Sequence, residues 1–294
     1  MHYTGTIWRP PYEAYSALIQ VTVGCTHHGC KFCTLYEELP FDFRLSPVTE
    51  VEQDLKELAK YYKNTKRVFF TGGNPFALSF EKLESLAKMT REYFPSMQSM
   101  GCFARITDIT PKSKEQLKRL RELGFNEITI GVETGDDAAL QFMNKGFGVS
   151  EIIEQCKRLE EAGIDYHFFY LTGISGHGKG NFGAKETAKV FNMLHPKRIV
   201  VSMMTITKTS KLFQEIQKGN WKEESEIEKL EELKTLIKNL KIHTYFATEG
   251  SSNLVCVVGN LPGNKKKLTT FLDKIIKDGN EAELRKYREN LRSL

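Results

Sequence analysis

Three cysteines fall within nine positions of one segment, VTVGCTHHGCKFCTLYEE, as Cys25, Cys30 and Cys33 with the spacing C-x4-C-x2-C. Thiols this dense are metal ligands before they are anything else. Three thiolates can hold three irons of a [4Fe-4S] cluster and leave the fourth iron open to a further ligand. The same thiolates, with His27 or His28 as a fourth ligand, would also suit structural zinc. Zinc ribbons usually add a second cysteine pair about 20 residues away, and none follows here. Spacing alone leaves both chemistries open. Cys102, Cys156 and Cys256 are scattered, read as buried inert thiols in a strand, a helix and a strand, and with the other three suggest ligands in a reducing compartment rather than a disulfide framework.

Other segments carry residues suited to holding a small polar molecule. In VFFTGGNPFAL, Gly72 and Gly73 would let backbone carbonyls come close to a ligand, followed by Asn74. In GVETGDD, Glu133 could accept sugar hydroxyls, Thr134 stands beside it, and Asp136 is placed to cap the following helix. Arg105, in CFARITDIT, has the planar fork that suits a carboxylate, though an ordinary surface arginine fits as well. LTGISGHGKGN strings together Gly173, Gly176, Gly178 and Gly180 around Ile174, but lacks the G-K-[ST] ending of a phosphate-binding P-loop. His177 in that loop reads as a solvated histidine without a partner. Met203 and Met204, in VVSMMTITKTS, read as filling for the interior or packing for a flat ring, with Thr205 and Thr209 nearby.

The elements that must position these residues follow a β-α rhythm. Strands are expected over 16–23, 67–71, 98–103, 127–132, 166–171 and 198–203. Helices are expected over 47–62, 79–93, 112–123, 136–144, 150–162 and 184–194. Gly124 and Gly163 stand where helix ends tolerate left-handed backbone. Six βα-type units without a dinucleotide fingerprint predict an α/β fold, a partial (β/α)6 TIM-type barrel. The chemistry-bearing segments all fall at the C-terminal ends of its strands, where such folds keep their sites. After residue 205 the rhythm gives way to a Lys/Glu-rich helix over 223–240, short strands over 244–247 and 254–258, and a helical tail. The expected layout is an N-terminal arm (1–15), the partial barrel (16–210) and a small C-terminal α+β appendage (211–294).

With 294 residues, 40% of them hydrophobic and a net charge of +5, the chain can bury a full core and is only mildly basic. Its charges are interleaved Lys and Glu, as on solvated helix faces, so nucleic acid is not an expected partner, and Lys265, Lys266 and Lys267 read as a helix start. No apolar run reaches the roughly 18 residues of a membrane span, and the N-terminus lacks the order of a signal peptide. A cytoplasmic protein without a membrane partner is expected.

Taken together, the cysteine loop after the first strand resembles the cluster loop of the radical S-adenosylmethionine (SAM) superfamily, where an aromatic residue precedes the last cysteine, as Phe32 does here. The usual family spacing is C-x3-C-x2-C, one residue shorter between the first two cysteines. Gly72, Gly73 and Asn74 resemble the family's Gly-Gly-Glu-Pro motif, with Asn74 in place of the acid. The stretch LRELGFNEITIGVETGDDAALQFMNKG resembles the branches containing anaerobic coproporphyrinogen oxidases and cobalamin-dependent enzymes.

The resemblance spans roughly residues 16–215. It implies a [4Fe-4S] cluster on Cys25, Cys30 and Cys33, and SAM held by Phe32, Gly72, Gly73, Asn74, Arg105, Glu133, Thr134, Ile174 and Met204. It further implies an oxidoreductase or transferase that cleaves SAM reductively to a 5'-deoxyadenosyl radical, acting on an unidentified small-molecule substrate such as a tetrapyrrole. A reductant such as flavodoxin or ferredoxin would supply the electron. A non-catalytic cluster- and SAM-binding carrier or haem chaperone is the alternative, and a zinc-stabilised nucleic-acid-binding module a third reading.

Overall fold

A computed structural model describes residues 1–62 and 64–291. The chain is α/β, and its contacts divide it into two compact units. The first comprises Met1–His28, Leu35–Gly131 and Glu154–Tyr166; the second comprises Gly29–Thr34, Val132–Ile153 and the chain from His167 onward.

In the first unit, strand β1 (Ala17–Gln20) leads into β2 (Thr22–Gly24), and β3 (Phe43–Leu45) precedes helix α1 (Val48–Tyr62). There follow β4 (Arg67–Thr71), α2 (Phe80–Tyr93), β5 (Ser99–Ala104), α3 (Lys114–Leu123) and β6 (Ile128–Glu133), whose last two residues belong to the second unit. Strands β1, β4, β5 and β6 pair in that order and all in parallel, with Ile19 opposite Phe70, Phe69 opposite Gly101 and Phe103 opposite Thr129. Their near-continuous apolar runs are what a parallel strand covered on both faces requires. Val68, Phe69 and Phe70 are fully buried, and the Phe69 and Phe103 rings meet edge to face with centroids 5.1 Å apart. Serines start the helices: the Ser79 hydroxyl accepts from the Lys82 N–H, and Ser113 forms a capping box with Gln116.

The single strand expected over 16–23 is broken at Val21. Its N–H donates to Thr71 O and its carbonyl accepts from the Ser46 N–H. The chain thus leaves β4 and pairs antiparallel with β3, Val23 opposite Arg44. Continuous β-rich composition cannot reveal such a change of partner. Near the start of this unit the Glu13 carboxylate, 1% exposed, accepts from Arg67 Nε at 2.8 and 2.9 Å.

In the second unit, α4 (Asp137–Phe142) is capped by the Asp136 carboxylate, which accepts from Ala138 N and Ala139 N. Helix α5 (Val149–Glu161) carries residues of both units. Then come β7 (Tyr166–Thr172), α6 (Gly180–Phe191), β8 (Arg198–Met203), α7 (Lys211–Gln217) and α8 (Glu226–Asn239). The chain ends with β9 (Thr244–Ala247), β10 (Val258–Leu261), α9 (Lys265–Asp278) and α10 (Glu281–Glu289). Strands β7, β8 and β9 pair in parallel, Phe168 opposite Ile199 and Ile199 opposite Phe246, and β10 closes antiparallel on β9. The run Lys265–Lys267 does begin a helix.

Two expectations are corrected in this region. The strand expected over 254–258 starts only at Val258. Thr248 holds the residues before it, its hydroxyl donating to Val255 O and accepting from the Val257 N–H, so the apolar run forms a turn rather than a ladder. Cys256 lies in that turn and is exposed, not buried in a strand, whereas Cys102 and Cys156 are buried as expected. No helix among the described residues is long and apolar enough to cross a membrane.

Candidate cofactor-binding site

The first unit holds Cys25, Gly72, Gly73, Asn74 and Arg105. Cys25 follows β2 directly, and its N–H donates to Asp42 O at 2.9 Å. Gly72 and Gly73 adopt φ of +110° and +82° at the end of β4. A Cβ on Gly72 would lie 1.6 Å from Thr22 O, and one on Gly73 would lie 1.8 Å from Gly24 O. A side chain at either glycine would run into the backbone of β2 leading to Cys25. The glycines let the two strand ends touch, and any side chain would push the cysteine loop away.

Asn74 strengthens the same junction. It is 1% exposed; its carbonyl oxygen accepts from the Thr26 N–H at 3.1 Å, and its amide nitrogen donates to Thr26 Oγ1 at 2.7 Å. That nitrogen also lies 3.0 Å from each carboxylate oxygen of Asp108. Asp108 in turn accepts from the Arg105 N–H at 2.7 Å and sits above Lys112, whose Nζ donates to Phe76 O and Asp108 O at 2.7 and 2.8 Å. Burial raises the Asp108 carboxyl above the usual range, against the opposing pull of the Arg105 N–H and the Asn74 amide. Burial lowers the Lys112 ammonium to about 8. The guanidinium of Arg105 reaches Thr107 Oγ1 at 3.0 Å. Asp108 and Lys112 escaped the sequence reading because nothing in RITDITPK distinguishes them from surface charges. Cys102 is fully buried, and its surroundings hold its thiol far above the ordinary value.

The second unit holds Cys30, Phe32, Cys33, Glu133, Thr134, Ile174 and Met204. The cysteine segment is threaded between two helices: Lys31 N–H donates to Met143 O at 3.0 Å, and Lys31 O accepts from Leu212 N–H at 2.7 Å. A backbone turn from the Cys33 N–H to Cys30 O closes the C-x2-C segment. Phe32 packs against a buried cluster of Met143, Ile174, Met204 and Leu212. Three residues expected to line one cofactor, far apart in sequence, therefore meet.

Glu133 adopts the left-handed conformation with φ of +69°, which for a residue with a side chain costs about 1–3 kcal/mol and persists where the surroundings dictate it. Its carboxylate pairs with Lys145 Nζ at 3.1 Å, and that ammonium lies 5.7 Å from the Phe32 ring centroid and 5.3 Å from that of Phe147. Lys145 thus links the cysteine segment to the end of β6. The MNKG of its sequence offered no sign of this. The Thr134 hydroxyl is engaged internally, 3.1 Å from Thr187 Oγ1 and accepting from the Asp136 N–H. His177, expected to be solvated, has a partner: its Nδ1 lies 2.9 Å from Glu228 Oε2.

All three loop thiols are half-buried and free of disulfides, a donor set of the kind that cysteine-held clusters use. Among the described residues, no group of three or more His, Cys, Asp and Glu side chains is gathered as it stands to hold a metal ion.

The model of the Radical SAM superfamily matches residues 19–184, more than half of the chain. The chain is 27% identical over 144 residues to the haem chaperone HemW of Bacillus subtilis, covering 47% of this chain and 37% of that protein. Among solved structures it resembles coproporphyrinogen III oxidase (HemN) from Escherichia coli, described as a Radical SAM enzyme. That likeness has a TM-score of 0.56 and 18% identity, covering 76% of this chain and 51% of the other. It also resembles methylornithine synthase (PylB), with a TM-score of 0.54 and 15% identity over 92% of this chain and 85% of the other. These likenesses show the α/β fold of partial-barrel type. The chain spans about a third to two thirds of the length of the curated relatives it matches.

Proposed function

Since this chain belongs to the Radical SAM superfamily, we propose that it is an enzyme that binds a [4Fe-4S] cluster through Cys25, Cys30 and Cys33 and uses SAM as its second cofactor. The observation that carries this reading is the span of the family match, which contains all three cysteines and every expected SAM contact except Met204. When bound, the cluster and SAM together supply a one-electron cleavage whose radical product abstracts hydrogen from the substrate.

This chain's own residues bind, orient and exclude water. The three thiolates would hold three of the four irons. The apolar cluster of Phe32, Met143, Ile174, Met204 and Leu212 offers a dry surface for a flat ring. The Glu133 carboxylate, held by Lys145, is an acceptor for ribose hydroxyls. Gly72, Gly73 and Asn74 fix the backbone beside Cys25, and Arg105 is the candidate for the SAM carboxylate. Residues 16–210 would form the catalytic core and 211–294 its extension, with an external reductant supplying the electron. A tetrapyrrole is the first substrate class to try, since the haem chaperone and the coproporphyrinogen oxidase both point to that chemistry.

Anaerobic reconstitution followed by incubation with SAM and dithionite tests the reading. The expected results are an iron to protein ratio near four, broad absorbance near 400 nm, and 5'-deoxyadenosine formation that Cys30→Ala abolishes. Normal SAM cleavage by that variant would overturn the assignment. The likeness to a haem chaperone favours one second reading, a carrier that keeps cluster and SAM but transfers a ligand. A fully loaded, reduced protein that forms no 5'-deoxyadenosine yet binds haem would favour it.

A further inference from the structure

The segment from Trp221 to Glu232, outside the family match, closes on the glycine-rich loop Gly173–Gly180 at several points. The Gly173 N–H donates to Glu232 Oε2 at 2.6 Å. The His177 N–H donates to Lys222 O at 2.9 Å, and the Gly178 N–H donates to Glu228 Oε1 at 3.0 Å. Glu228 also accepts from the Ser225 N–H at 2.7 Å, so one carboxylate both caps α8 and holds the loop. Trp221 leaves no room for a side chain at Gly176, where a Cβ would lie 2.7 Å from its Nε1. The far end of the loop is closed in the same way, a Cβ on Gly180 falling 2.3 Å from Glu224 Oε1.

Behind these contacts lies a buried carboxyl pair. Glu224 and Glu232 are both fully buried, and neither carboxyl oxygen of Glu224 meets a hydrogen-bond donor. Glu232 accepts from the Tyr170 hydroxyl and the Gly173 N–H. The ammonium of Lys229, also fully buried, is taken by Glu223 and Glu226 at 2.7 and 3.3 Å. A buried carboxyl without donors is stable only as the neutral acid.

Resting on the reading of this loop as part of the SAM site, we infer that Trp221–Glu232 is a positioning clamp for the loop, with Glu232 and Glu228 as its holding residues and Glu224 a neutral acid behind them. Because Ile174 follows Gly173 and is seated in the cluster that contains Phe32 and Met204, the Glu232 contact sets where that side chain enters the ring-binding surface. Burial and the neighbouring carboxyl both raise Glu224, in keeping with its neutral form. The clamp therefore acts on SAM binding without touching SAM.

The test uses the full chain, reconstituted with its cluster and kept oxidised, with SAM as the probe. Equilibrium SAM affinity, iron content and amide exchange over residues 172–180 are compared in wild type, Glu232→Ala, Glu228→Ala and Glu232→Gln. Both alanine variants should weaken SAM about tenfold and speed exchange in the loop, with iron content unchanged. Glu232→Gln keeps an acceptor for the Gly173 N–H and should recover most of the affinity. If Glu232→Ala fails to fold, Glu228→Ala, at a half-exposed residue, decides. Protection of the loop by SAM in wild type, but unchanged affinity in the alanine variants, would overturn the clamp alone. SAM binding without any protection of the loop would instead overturn the loop's assignment to the cofactor, and the clamp's role with it.

Discussion

Asn74 and Asp108 meet inside the first unit, the amide nitrogen 3.0 Å from both carboxylate oxygens, while the other face of the same amide holds the backbone of Thr26 beside Cys25. A neutral side chain thereby ties a ligand loop to a buried acid. Asn74→Ala would strip Asp108 of one donor and release Thr26. The expected loss is about 1–3 kcal/mol, the usual cost of unpairing a buried polar group, measured by urea unfolding of the cluster-free protein. Reconstitution of that variant should also recover less iron than wild type.

Replacing Asn74 by aspartate should be worse than replacing it by alanine at pH 8. Two buried carboxylates would then face each other, a like-charge pair that one proton relieves. The excess loss of stability should shrink as pH falls towards 5, and a gap that stays constant with pH would refute the arrangement.

At Glu133 the usual ranking of alanine over glycine should invert. Both substitutions remove the Lys145 pair, but only alanine must keep a Cβ at φ of +69°. Glu133→Gly should be more stable than Glu133→Ala by about 1 kcal/mol in thermal or urea unfolding.

Glu224 carries a stability effect opposite to that of an ordinary carboxylate. Its folded pKa is raised, with Glu232, Glu228 and Lys229 around it, so the folded protein holds a proton that the unfolded chain releases above about pH 5. Stability from this site is full below the unfolded value and falls as pH rises towards the folded one. Glu224→Gln should therefore match wild type near pH 4.5 and exceed it increasingly at neutral and alkaline pH, in parallel denaturation series.

The cysteines should separate by alkylation of the native protein. Cys256 is exposed and should react first; Cys102 and Cys156 are buried with raised thiol pKa values and should react only on unfolding. Cys25, Cys30 and Cys33 should react in cluster-free protein and become protected on reconstitution, read by mass spectrometry.

Sequence by itself determined the β-α order, most helix limits to within two residues, the ligand loop after the first strands and the family resemblance. These are local properties: periodicity, serine caps and short motifs act over a few positions, and β4 and β8 span the expected 67–71 and 198–203. Only the tertiary structure decided what each candidate touches. It packed the backbone of β2 against Gly72 and Gly73, drew Asp108 and Lys112 into the core, paired Glu133 with Lys145, and brought α8 onto the Gly173 loop. The pairs Glu133–Lys145, Asn74–Asp108, Phe76–Lys112 and Gly173–Glu232 lie 12 to 59 residues apart along the chain. A charged side chain is solvated or buried according to what packs against it, and that depends on distant segments whose identity no local pattern encodes.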